Sequence, residues 1–137
     1  MHDLSSYDYA IVRVVPRVER EEFVNAGVIV SCQAQDYLEA KIDLDEARLL
    51  ALDPTVDLAA ILANLASIPA ICRGGPSAGP IGRLSTRERF HWLVAPRSTM
   101  IQTSRVHTGR CKDPATLIDH LIATMVRRVP GPTGADG

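Results

Sequence analysis

Tyr9-Ala10-Ile11-Val12-Arg13-Val14-Val15-Pro16 is β-branched and apolar up to its proline, the composition of a strand. Pro16 has no N–H to give to a ladder and ends it. Val18 to Glu22 is short and charged and reads as a connector, after which Phe23-Val24-Asn25-Ala26-Gly27-Val28-Ile29-Val30 is a second strand. The two form an antiparallel pair with a wide turn. Period two puts Tyr9, Ile11, Arg13 and Val15 on one face and Ala10, Val12 and Val14 on the other. Both faces are mainly apolar, which places the pair inside a sheet. Arg13 is the exception, since an arginine there needs a carboxylate or a rim position. Gly27, inside an apolar strand, marks a bulge or a close backbone approach.

Outward from this pair, Met1 to Ser6 reads as a loose lead-in and Gln33 to Asp36 as a turn. Tyr37-Leu38-Glu39-Ala40-Lys41-Ile42 alternates and reads as a third, half-exposed strand. Asp43 with Glu46 resembles a capping box opening a helix over Leu44 to Leu52. Asp53-Pro54 stops it and starts another. From Asp57, Leu58, Ile61, Leu62, Leu65, Ile68 and Cys72 recur on one helical face, with Pro69 expected to bend or end the helix. Gly74 to Gly82 is a loop by composition.

Ser85-Thr86-Arg87-Glu88 is a second capping box, launching a helix that ends before Pro96. Thr99 to Val106 alternates as a further, more polar strand, at an edge or beside a cleft. Asp113-Pro114 is an N-cap followed by proline at the first helical position. In the last helix Leu117, Ile118, Leu121, Ile122, Met125 and Val129 cover the core, with Arg127 and Arg128 in its last turn. The expectation is one α+β domain over residues 1–129, with a flexible tail over 130–137. Its mainly antiparallel sheet has about four strands, packed by three to four helices, those around Leu62 and Leu121 foremost.

Fifteen basic and sixteen acidic residues give a net charge of −1, so no strong field draws the chain to nucleic acid or membrane. No segment approaches the length of apolar run that spans a bilayer, and the N-terminus carries none of signal-peptide length. Cys32, Cys72 and Cys111 are odd in number and far apart, which argues against a disulfide framework or a structural zinc site and for a reduced, cytoplasmic setting. No phosphate-cradling loop, dinucleotide fingerprint, nucleophile elbow or metal signature is present, and no cofactor is expected.

The residues an active or binding site would use concentrate between Arg97 and Arg110: Arg97, Ser98, Thr99, Gln102, Arg105 and His107 foremost. Arginine forks beside hydroxyls suit a carboxylate or phosphate, and His107 offers an acid or base. The competing reading is structural, with Arg97 paired to Glu88 or to the Glu19–Glu22 connector and the hydroxyls bound to backbone. Trp92 beside Phe90 reads as packing rather than a stacking platform, and His120 as solvated.

Two strings carry a resemblance. Tyr9 to Pro16 followed by Glu22-Phe23-Val24-Asn25-Ala26-Gly27-Val28-Ile29-Val30 is the first. Glu88-Arg89-Phe90-His91-Trp92-Leu93-Val94-Ala95-Pro96-Arg97-Ser98-Thr99, with Gln102, Ser104 and Val106-His107-Thr108-Gly109, is the second. In this order they resemble the bacterial family known as domain of unknown function 3037. The resemblance implies no established activity. It implies a companion or regulatory role beside HipA-like kinases, and it marks Arg13, Glu22, Asn25, Arg97, Ser98, Gln102 and His107 as positions available to a polar site.

Two expectations follow. The first is a non-enzymatic binding or regulatory module that partners another protein, a HipA-like kinase by family analogy, with a dimer tolerated by the two-faced first strands. The alternative is a small enzyme or ligand-binding protein for a phosphorylated or carboxylated compound, held by Arg97, Ser98, Arg105 and His107.

Overall fold

The computed structural model describes residues 4–97 and 99–131. Its frame is an antiparallel five-stranded sheet. The strands are β1 (Ser5–Val14), β2 (Val24–Cys32), β3 (Tyr37–Ile42), β4 (Ile101–Thr103) and β5 (His107–Cys111). β1 is central. β2 pairs with Asp8 to Val14 on one side, with β3 beyond. On the other side β4 pairs with Val12 to Val14 and β5 with Ser5 to Tyr9. The chain is thus α+β, with one strand more than expected.

That extra strand arises where one was read from Thr99 to Val106. The alternation breaks at Ser104, whose side chain turns into the ladder instead of following the pleat, and the edge resumes only at His107. The lead-in also differs: Ser5 and Ser6 already belong to β1. β1 outruns its apolar stretch because β5 supplies a ladder partner as far as Ser5. Residues 1–3, Ser98 and 132–137, with most of the expected tail, lie outside the described residues.

Gly27 sits at a bulge. Val12 pairs with Gly27 and Arg13 with Asn25, leaving Ala26 as the extra residue of β2. A Cβ at Gly27 would lie 2.6 Å from the Lys41 carbonyl oxygen, so only glycine lets β3 approach. The bulge also exchanges faces. Val24, Ala26 and Ile29 pack on one side of the sheet, Val28 and Val30 on the other.

On the first side lie α1 (Glu46–Leu52), α2 (Leu58–Arg73) and α3 (Thr86–Val94). Leu49, Ile61, Leu65, Ile68, Phe90 and Leu93 fill the space against Val12 and Val14. On the second side α4 (Pro114–Leu121) continues through a π-helical turn, Ile122–Val126, and buries Ile118, Leu121, Ile122 and Val126 against Val28 and Val30. Leu62 is 39% exposed, so Leu65, not Leu62, is the centre of α2's packing. Val129 is 87% exposed, because the helical turn stops at Val126 and Arg127 is already extended.

The caps decide the boundaries. Ser85 and Glu88 form the expected reciprocal box on α3, and Asp113 caps α4. At α1 the cap is Asp45, which accepts from the Arg48 N–H, and not Asp43. α2 starts at Asp57 rather than at Asp53-Pro54. Asp53 instead accepts from the Thr55 N–H and hydroxyl and pairs with Arg17. Pro69 does not end α2, which runs on to Arg73. There the Arg89 guanidinium donates to the Ile71 and Cys72 carbonyls at 2.8 and 2.6 Å. The glycine-rich stretch beyond is 3₁₀ turn over Pro76–Arg83, kinked at Gly79. Among the described residues no single helix is long and apolar enough to cross a membrane.

Candidate functional site

The register of β1 builds a polar row. Arg13 lies opposite Asn25 on β2 and opposite Gln102 on β4, so the three side chains stand abreast on the α4 side of the sheet. Asn25 donates from Nδ2 to the Met125 carbonyl at 3.0 Å, in the π-helical turn. The Arg13 guanidinium carbon lies 4.2 Å from the centroid of the Phe23 ring. Arg13 Nε and Asn25 Oδ1 are closed to solvent, and neither has a hydrogen-bond partner among the described residues. A buried polar atom left so is costly.

Arg97 reaches the same place from the other direction. Pro96 cannot continue α3 and holds Ala95 extended. The chain turns, and the Arg97 side chain folds back over the helix end it has just left. It donates to the Trp92 carbonyl at 2.6 Å and the Leu93 carbonyl at 3.2 Å, and its guanidinium stacks 4.4 Å from the Trp92 ring centroid. The Glu88 pairing considered from sequence is replaced by these carbonyls, which an α-helix leaves without internal donors.

Two clefts flank β4. On the α4 side one of ≈310 Å³ is lined by Arg13, Glu21, Phe23, Arg97 and Gln102. On the other side one of ≈280 Å³ is walled by Ile68, Ile71, Trp92, Leu93 and Met100, with Asn64 and Ser67 adding polar groups. Arg97 and Gln102 line both. Two arginines and one acidic residue, Glu21, line the first cleft, and Glu21 has a left-handed backbone at φ 56°. Glu22 lines neither cleft. It pairs with Arg20 at 2.7 Å, and that bond holds its carboxyl below the ordinary glutamate value.

The arginine-rich block therefore divides. Arg97 and Gln102 join Arg13. His107 does not: it stacks on Tyr9, ring centroids 5.0 Å apart. Tyr9 and Arg13 are four residues apart on β1, about 13 Å at the rise of a strand. Arg105 is exposed in the break between β4 and β5 and lines neither cleft. Ser98 lies outside the described residues. Among those described, no group of three histidines, cysteines or acids could hold a metal ion.

Sequence reasoning missed Phe23 and Trp92, whereas Glu21, which lines the cleft with Arg97, falls in the Glu19–Glu22 connector offered as that arginine's partner. Phe23 reads as strand core, yet it precedes β2 and is 43% exposed; Trp92 reads as packing, yet is 40% exposed. The available signal was arginine spacing: Arg97 falls five residues after Trp92, within reach of a fold-back at a proline-terminated helix.

The chain belongs to the family described as protein of unknown function (DUF3037), whose model matches residues 9–126. No curated protein and no solved structure matches it.

Proposed function

We propose that this member of the family is a non-catalytic binding module that docks a partner protein on the β4 edge, between the Phe23–Arg13 and Trp92–Arg97 pairs. One observation carries the reading: two half-exposed aromatic rings, each covered by a guanidinium, flank the same polar row. Aromatic residues and arginine are the types enriched at the energetic centres of protein interfaces. The family resemblance makes a HipA-like kinase the first partner to offer. A cytoplasmic setting agrees with three cysteines left as free thiols.

The test is co-purification from a bacterial host with wild type, Trp92→Ala and Arg97→Ala as parallel baits. A protein retained by wild type and lost by both variants supports the reading. A protein retained equally by all three, or none at any salt concentration, overturns it.

A second reading rests on Arg13 Nε, which has no hydrogen-bond partner among the described residues, in a cleft that Arg97 also lines. It is a site for a small phosphorylated or carboxylated compound. Thermal unfolding against phosphate, sulfate, nucleotides and small carboxylates separates it, because a ligand selective for the folded state raises the midpoint with concentration. A rise lost in Arg97→Ala favours the small ligand.

A further inference from the structure

β4 ends the sheet, and among the described residues no strand pairs with its outer edge. The bonds on its inner side fix which groups face outward. Val15 donates to the Met100 carbonyl and Ser104 to the Ile11 carbonyl, at 2.6 and 2.8 Å. Antiparallel ladders alternate, so Met100, Gln102 and Ser104 turn their backbone groups to β1, and Ile101 and Thr103 turn theirs away. The Thr99 hydroxyl covers the Ile101 carbonyl at 2.9 Å. The Ile101 N–H and both backbone groups of Thr103 remain directed at the edge.

The two clefts lie on opposite sides of this edge. A strand laid along it sends successive side chains to alternate faces. One would enter the helix-side cleft, whose wall of Ile68, Ile71, Leu93 and Met100 suits an aliphatic or aromatic group. Its neighbour would enter the cleft lined by Arg13 and Arg97, where two arginines outnumber one acidic residue, Glu21, and an added acid completes the charge balance.

We infer that the outer edge of β4 accepts an extended segment of the partner protein in which an apolar residue and an acidic residue are adjacent. The inference rests on the partner-binding reading and adds its mode, strand addition. Backbone bonds supply affinity, and the two clefts select the pair of side chains.

The experiment selects from a displayed library of random nine-residue peptides on the immobilised full chain, then measures the enriched peptides against three variants. Thr103→Pro removes an outward N–H and leaves the bonds to β1 intact, as proline is tolerated on an edge strand. Ser67→Trp fills the helix-side cleft from an exposed position. Arg97→Ala removes the charge. The expected result is enrichment of peptides with adjacent apolar and acidic residues, and at least tenfold weaker binding to each variant. Each variant's thermal midpoint is measured beside its affinity, so that loss of fold is not taken for loss of binding. Enriched peptides that bind Thr103→Pro as well as wild type, yet lose Arg97→Ala, overturn strand addition and leave the partner face standing. No enrichment above background overturns the inference. A concentration-dependent dimer in sedimentation that Thr103→Pro abolishes also overturns it, because a second copy of the chain would then hold the edge.

Discussion

The hydroxyl of Ser104 accepts the backbone N–H of Ile11 at 2.9 Å, in the place where a regular strand would offer a carbonyl. The same oxygen donates to the Arg105 carbonyl, also at 2.9 Å, and the Ser104 N–H bonds back to the Ile11 carbonyl at 2.8 Å. One 5%-exposed side chain thus splices β4 to β5 along the central strand.

Ser104→Ala leaves the half-buried Ile11 N–H without its acceptor. The expected loss is about 1–3 kcal/mol, read as a lower urea midpoint with an unchanged slope. An unaltered midpoint would show that water or a shifted carbonyl replaces the hydroxyl freely.

Gly27→Ala drives a methyl group to 2.6 Å from the Lys41 carbonyl oxygen and 2.7 Å from Ile42 Cδ1. The first contact is backbone, so β2 and β3 must part. The expected destabilisation is about 1–3 kcal/mol, as for an overpacked core. Equilibrium denaturation checks it. A variant as stable as wild type would mean that β3 is held loosely.

Asp53 has its carboxyl below the ordinary aspartate value, first through the Thr55 hydroxyl, then the Thr55 N–H and Arg17. A depressed folded-state value stabilises the fold above the unfolded value of about 3.9 and loses that contribution as pH falls through the lower folded value. Asp45, held down by Arg128 and then by the Arg48 N–H, acts in the same direction. The melting temperature is therefore expected to decline below roughly pH 4. Asp53→Asn is expected to lower it at pH 7 and to flatten the acid limb. An acid limb equally steep in Asp53→Asn would place the titration elsewhere.

Trp92 is the chain's single tryptophan, so its emission reports on the Arg97 stack. Arg97→Ala is expected to change that emission at a cost of about 0.5–1 kcal/mol for the lost cation–π contact. Anything docking at the β4 edge should move the wild-type emission saturably and leave the variant's emission unmoved. Identical spectra for the two proteins would mean that the stack is not populated in solution.

Legibility varied with how local the deciding force was. β3 was read to its ends because Tyr37 to Ile42 alternates without interruption, and α3 because Ser85 and Glu88 cap it within one turn. Asp43 and Asp45 are equivalent as letters. Only the bond to the Arg48 N–H separates them, while Asp43 goes to Arg127 instead. The break at Ser104 was invisible, since its cause is a partner 93 residues away. The candidate site was half legible for the same reason. Arg13, Asn25, Gln102 and Arg97 stood out as polar residues in unusual places. Their meeting depends on the bulge at Ala26 and the fold-back at Pro96. Phe23 and Trp92 were hidden because aromatic letters do not reveal exposure.

The central strand is synthesised before the other four strands, and the partners of one of its sides come after α1, α2 and α3. β2 and β3 follow it closely, but the partners of its other side begin at Ile101. At roughly 5–20 residues per second, the 93 positions between Ile11 and Ser104 take on the order of 5–20 s to synthesise. Through that interval the nascent chain presents an open, β-branched edge of the kind that pairs with other chains. The late arrival of one polar segment sets how long this side of the central strand stays open, which ties that exposure to the pace of translation.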